Sequence, residues 1–226
     1  ALLGLEHVLP RLDRRAELLP LVEQALAADT ASVGILTIAV RAFVVAGRAD
    51  SARKYVERWS ALTPGDEEPF REWSTAALDA RDQAQAQLAL DAGRQRLGPR
   101  ALGLERAEML QRTGDLAGAV AEWIPVVRAA PVFRDGAAGV LARVTPAQRQ
   151  VVRDALARDG SLQARQLLGL LQAMWGEPAT ALTTIEHALP ADSNEAAGLL
   201  RKLYDELRVR TDHASQLAAA ATLEGI

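Results

Sequence analysis

The stretch "AEMLQRTGDLAGAVAEW", residues 107–123, decides the fold. Good helix formers flank Gly114-Asp115 on both sides, and a glycine inside a helix costs roughly 1 kcal/mol relative to alanine. Gly114 therefore reads as a boundary. A residue free to take the left-handed conformation closes one helix, and the Asp115 carboxylate caps the next. Apolar residues keep a three-and-four spacing on both sides, at Leu102, Met109 and Leu110 before the turn and at Ala119, Val120, Trp123 and Val127 after it. The stretch predicts two antiparallel helices joined by a short turn.

The same skeleton recurs outward from this point. Gly47 and Ala52 repeat the glycine and the alanine five residues later and are closed by Pro64; Gly176 and Ala181 repeat them again, closed by Pro190. Gly47 to Gly114 is 67 residues and Gly114 to Gly176 is 62, each about two units, so a unit should lie midway in each interval. In the first interval Arg81 stands where the glycine would be, with Ala86 five residues on. In the second, Thr145-Pro146 offers a helix start and Asp159-Gly160 a stop, with no counterpart of the alanine. "DGAAGV" at 135–140 reads there as a loose turn between helices. Pro20 and Pro125 fall inside helical patterns and predict kinks.

The chain is thus expected to be all-α, a right-handed α-solenoid of about six antiparallel helix-turn-helix units forming one domain over 1–226. Its parts are a degenerate unit at 1–30, units at 31–64, 65–98 and 99–131, a degenerate unit at 132–160, a unit at 161–192 and capping helices at 193–226. Composition agrees. Hydrophobic content is 49% with aromatics at 4%, so the core is built from Ala, Leu and Val, and the alternation that strands need is nearly absent. Lys54 and Lys202 are the only lysines, and the abundance of Arg and Ala suggests a GC-rich, bacterial genome.

These units resemble tetratricopeptide repeats, best over 98–131. There Ala107, Leu110, Gly114, Ala119, Trp123 and Pro131 occupy the family's small, large apolar, turn, small, aromatic and proline positions, while Gly103 replaces the usual tryptophan. The unit ending at Pro64 keeps Phe43, Gly47 and Ala52 but has Trp59 at a small position. The unit at 163–190 keeps Leu168, Gly169, Gly176, Ala181, Ile185 and Ala188. Sel1-like and other helical repeats are the competing families.

Chemistry is sparse. With 26 basic and 29 acidic residues the net charge is −3, which gives no general pull toward nucleic acid or an anionic membrane. The absence of cysteine removes disulfides and thiolate sites, and suits the cytoplasm or a bacterial periplasm or envelope that avoids thiols. His7, His187 and His213 are far apart and out of metal-ligand spacing, and no phosphate loop or GxSxG is present. Glu105, Glu108 and Glu122 share one unit and read as solvated glutamates on a charged face rather than an acid-base pair. The arginine clusters at 11–15 and 201–210 are interleaved with Asp13, Asp205 and Glu206, the pattern of ion-paired helix. In the second, Tyr204 and Leu207 are expected to pack on the last repeat. No catalytic residue, metal or cofactor is expected.

What the resemblance implies is a non-catalytic scaffold whose first helices line a groove for a peptide or helix of another protein, within a bacterial multiprotein or envelope assembly. Carried over by position, the groove residues are Arg41, Val44, Arg71, Thr75, Glu108, Gln111, Arg112, Gln166 and Leu170. Arg41, Arg71 and Arg112 would recur along one surface and suit partner carboxylates. The family's carboxylate clamp for chaperone tails is not matched, since Thr37, Arg41, Glu72, Ala101 and Glu105 hold its positions. No nucleic acid and no membrane insertion are expected, and homo-oligomers remain open. The edges "ALLGLEHVLP" and "ATLEGI" read as cuts in a longer or processed chain. The alternative is therefore a regulatory or structural repeat segment of a protein whose catalytic or DNA-binding domain lies elsewhere.

Overall fold

All four turn residues singled out in the sequence adopt the left-handed conformation, with φ of +70° at Gly47, +61° at Arg81, +88° at Gly114 and +85° at Gly176. Their hydrogen bonds are alike. The turn residue's N–H donates three residues back, as in Gly114 to the Gln111 carbonyl at 3.1 Å and Arg81 to Leu78 at 3.0 Å. The next N–H donates five residues back, as in Asp115 to Leu110 at 2.9 Å and Asp82 to Ala77 at 2.8 Å. Gly47-Arg48 and Gly176-Glu177 repeat the pattern. This Schellman closure satisfies the last carbonyls of the first helix and turns the chain back for the second. The following helix is capped by Asp115 through the Gly118 N–H at 2.8 Å and by Asp82 through the Gln85 N–H at 2.9 Å.

The computed structural model describes residues 17–225 together with Gly4, Val8, Leu9 and Arg14. Leu18 to Glu224 holds thirteen α-helices, and no strand occurs among the described residues. The residues fall into two compact units, Ala1–Met109 and Leu110–Ile226. The sequence frames one uninterrupted domain; the division falls inside the helix Gly103–Thr113, within the stretch that best matches the repeat.

The first unit holds α1 (Leu18–Ala28), α2 (Val33–Val45), α3 (Ala49–Leu62), α4 (Glu68–Asp79), α5 (Gln83–Leu97) and most of α6 (Gly103–Thr113). Helices α2 and α3 pair, α4 and α5 pair, and α2 packs on both α1 and α4. The small residues Ala52 and Ala86 are fully buried, as are Val56 and Leu90 one turn on. Sealing each of the two larger side chains from water contributes about 1.5–3 kcal/mol. Pro20 lies in the first turn of α1, where its missing N–H has no helical partner to lose, so the predicted kink has no cause there.

The second unit continues with α7 (Leu116–Ala129), α8 (Arg134–Leu141), α9 (Arg149–Asp159), α10 (Leu162–Met174), α11 (Pro178–Glu186), α12 (Ser193–Arg208) and α13 (His213–Glu224). Helices α10 and α11 pair, as do α12 and α13; α10 also packs on α8 and α12, and α7 on α9. At the α10–α11 crossing a β-carbon on Gly169 would sit 2.6 Å from Ile185 Cγ1, so the close approach requires glycine. Pro125 is on the exposed side of α7, which runs on past it.

Residues 135–140, expected to be a loose turn, lie inside α8 instead. Ala137, Ala138 and Leu141 are fully buried, and this packing outweighs the poor helix propensity of Gly136 and Gly139. The predicted helix start at Thr145-Pro146 is present as a capping box between Thr145 and Gln148, and Gly160 ends α9 at φ +63°. Leu207 of α12 is buried in this unit.

Candidate functional site

The first helices of the pairs carry the charged side chains that the sequence nominates, and in the first unit these are committed to one another. Arg41 on α2 donates to Glu72 on α4 at 3.0 Å. Arg71 on α4 holds three carboxylates: Glu105 of α6, Glu68 at 2.7 Å and Glu67 at 3.0 Å. Burial works against the Arg71 charge, but the hydrogen bonds and attraction of Glu105 and then Glu68 outweigh it and hold the guanidinium well above its ordinary pKa. Glu67 also accepts the Leu102 N–H at 3.1 Å, and Leu102 sits at φ +56°, an unusual conformation for that residue. The network thus latches the segment after α5 to α4.

Glu105 is not a solvated glutamate, since it is almost wholly buried against Arg71. Sequence periodicity places it on α6 but does not supply a partner 34 residues away.

Of the nine groove residues, Thr75 and Arg112 are exposed, and Arg41, Arg71, Glu108 and Gln111 are half-buried. The Gln111 side chain donates to the Val140 carbonyl at 2.9 Å. Val44, Gln166 and Leu170 lie in the core at 3%, 2% and 0% exposure, which withdraws them from any surface a partner touches. Their helices explain it. Helix α10 is surrounded by α7, α8, α9, α11 and α12, and α2 by α1, α3 and α4, so few faces are left for solvent. Gln166 meets the polar requirement of that core by donating to the Ala188 carbonyl at 2.9 Å. Arg41 and Arg71 belong to the first unit and Arg112 to the second.

Two hollows were not legible in the sequence. One, of about 690 Å³, lies in the first unit between Pro64, Glu67, Arg96 and Arg100. The other, of about 310 Å³, lies in the second unit between Val132, Arg134 and Asp135 on one side and Glu195, Leu199 and Lys202 on the other. Lys202 bridges to Asp135 at 3.5 Å and to Glu206 at 3.4 Å. The one sequence signal for the second hollow is Gly198, a glycine in mid-helix that also lines it. Among the described residues no cluster of His, Asp and Glu is arranged to hold a metal ion, and no helix is long and apolar enough to cross a membrane. His7 lies outside the described residues, as does most of the arginine cluster at 11–15.

The repeated turn, the paired helices and the buried alanines define an all-α protein of tandem helical hairpins. No family model matches the chain, and no curated protein matches it. Among solved structures, the crystal structure of the flexible tandem repeat domain from a subunit of bacterial cellulose synthase aligns over 97% of this chain and 96% of that one. The identity is 18% and the TM-score 0.32.

Proposed function

We propose that this chain is a non-catalytic scaffold of the tetratricopeptide type, an α-solenoid that binds an extended peptide or a helix of another protein along its first helices, within a bacterial multiprotein or envelope assembly. The observation that carries the reading is the fourfold Schellman turn at Gly47, Arg81, Gly114 and Gly176, with an alanine buried five residues after each. Repeated units of this kind suit recognition along a surface, and each of the two compact units keeps a first-helix position of the candidate set exposed, Thr75 in the first and Arg112 in the second. The ion pairs of Arg41 and Arg71 preset the charge pattern of that surface rather than offering bare cations. Thr75 and Arg112 are the exposed positions at which a partner makes contact.

A photo-crosslinking residue placed at Thr75 or at Arg112 in the native host tests this, with Glu57 on the second helix α3 as the control position. One recurrent protein is expected from Thr75 and Arg112 and not from Glu57. Capture that is equal from all three, or absent from the first two, overturns the reading.

A further inference from the structure

Ion pairing in the first unit separates the arginines that hold the fold from two that do not. Arg41 is spent on Glu72, Arg71 on Glu67, Glu68 and Glu105, Arg48 on Glu23, Arg53 on Glu57 and Arg106 on Asp91. Arg96 and Arg100 are exposed, and their guanidinium groups make no hydrogen bond or ion pair with any described residue. Both line the hollow of about 690 Å³, which lies between the α3–α4 and α5–α6 connections. Glu67 is the one carboxylate in that lining, and each of its oxygens already accepts a hydrogen bond, Oε2 from Arg71 and Oε1 from the Leu102 N–H. Two cations therefore share one concavity without a counterion of their own, between the apolar walls of Pro64, Leu97 and Ala101, which concentrate their field.

Helix position does not account for the pair. A cation in the last turn of a helix is favoured by the helix dipole, but in α5 Arg94 already serves that end, donating from Nε to the Ala101 carbonyl at 3.1 Å. Arg100 lies beyond the helix altogether. Its turn is held on both sides, by the Ala101 N–H on the Gly98 carbonyl at 3.2 Å and by Glu67 on Leu102, with Gly98 at φ +110°. A fixed backbone thus presents this arginine, and less ordering is left to be done when a ligand arrives.

The charge selects the occupant. A guanidinium group pairs a carboxylate through two parallel N–H donors, and a hollow of this size takes side chains of a peptide rather than a lone ion. The sequence points to Arg41, Arg71 and Arg112 for partner carboxylates; the first two are committed within the chain, and that capacity stands free at Arg96 and Arg100 instead. We propose that the hollow between the α3–α4 and α5–α6 connections seats an acidic segment of another protein, with Asp or Glu carboxylates on Arg96 and Arg100 and flanking apolar atoms against Pro64 and Leu97. This rests on the scaffold reading and adds to it one contact outside the first helices.

The test uses the full chain immobilised against three pools of N-acetylated, C-amidated octapeptides, one acidic, one uncharged and one basic, and separately against inorganic phosphate. The acidic pool is expected to be retained best. Arg96→Gln combined with Arg100→Gln should reduce that retention about tenfold or more. Arg128→Gln combined with Arg158→Gln removes the same charge from exposed arginines outside the hollow and should change retention by less than about twofold. Both double variants should keep the parent melting temperature, because they alter exposed side chains only. Equal losses from the two pairs, or no preference for the acidic pool, overturn the proposal. A marked fall in melting temperature on replacing Arg96 and Arg100 also overturns it, since the arginines would then be structural. Phosphate bound through Arg96 and Arg100 without retention of the acidic pool overturns it in favour of a free anion. Acidic retention that falls on substitution of Thr75 and Arg112 but not of Arg96 and Arg100 sinks this hollow and leaves the scaffold reading standing. Failure of the crosslinks at Thr75 and Arg112 sinks the scaffold reading whatever the hollow retains.

Discussion

Helices α4–α5 and α8–α9 use similar lengths of chain for different ends. In the first pair Arg81 turns left-handed, the Schellman bonds close α4, Asp82 caps α5, and the two helices lie against each other with Ala86 at their crossing. In the second, α8 ends at Ala142 in right-handed geometry, and the chain passes through Arg143 and Val144 to the Thr145 capping box. Helix α8 then packs on α7 and α10, and α9 on α7 and α10, so each is placed by neighbours rather than by its own turn.

The neighbour's device is Trp175, the residue that ends α10. Its indole N–H donates to the Ala142 carbonyl at 3.2 Å, and its ring lies 5.5 Å from the Arg149 guanidinium and 4.9 Å from that of Arg153. One side chain therefore fixes the end of α8 and a face of α9. A hairpin with a left-handed turn carries its own instructions; one without it borrows them from the next pair.

The sharpest way to break this contrast is Trp175→Ala. It removes a nearly buried indole and both of its attachments, and should cost about 3–5 kcal/mol by denaturant unfolding. Hydrogen exchange should speed up in α8 and α9 while α4 and α5 keep their protection; uniform acceleration through both units would mean that Trp175 is not a local clamp.

A smaller effect lies in the turns themselves. Gly114→Ala forces a β-carbon into left-handed geometry and should lose about 1 kcal/mol, while Arg81→Gly relieves that strain and should gain up to about 1 kcal/mol. Equal and same-signed shifts from the two substitutions would count against the shared turn. Next comes Gly139→Ala in α8, where a β-carbon meets nothing within 4 Å; a gain of roughly 0.5–1 kcal/mol is expected from helix propensity alone.

The smallest effect is an acid sensitivity at Asp91 of the regular pair. Around Asp91 on α5, burial opposes the charged form, but hydrogen bonds from Gln87 and Arg106 prevail and hold the carboxyl below its ordinary pKa. Because the native value is the depressed one, this contribution is whole above about pH 4 and is lost as pH falls through the native value. The Thr145–Gln148 cap of the irregular pair does not titrate. Carboxyl NMR titration of Asp91 with a midpoint at or above the unfolded value would contradict the sign.

Much of the fold was legible because the signals were local. Gly47, Gly114 and Gly176 announce left-handed closure by residue type. Arg81 is recoverable only through spacing, since arginine has no preference for that conformation, and its φ of +61° shows that register can impose what propensity resists. The candidate surface was less legible. Val44, Gln166 and Leu170 fit the first-helix register, but their burial depends on how many helices surround α2 and α10, which no periodicity encodes. Glu105 had the composition of a surface residue, and only the approach of Arg71 from α4 withdrew it from water.

The amino-acid sequence by itself determined the turns, the caps and the pairing of regular helices, because these are closed by hydrogen bonds spanning five residues or fewer. Tertiary structure alone decided the division into two units, the helical state of 135–140, the clamp at Trp175 and the hollow over Gly198. Each of these depends on which faces meet across tens of residues, where burial and desolvation outweigh local preference.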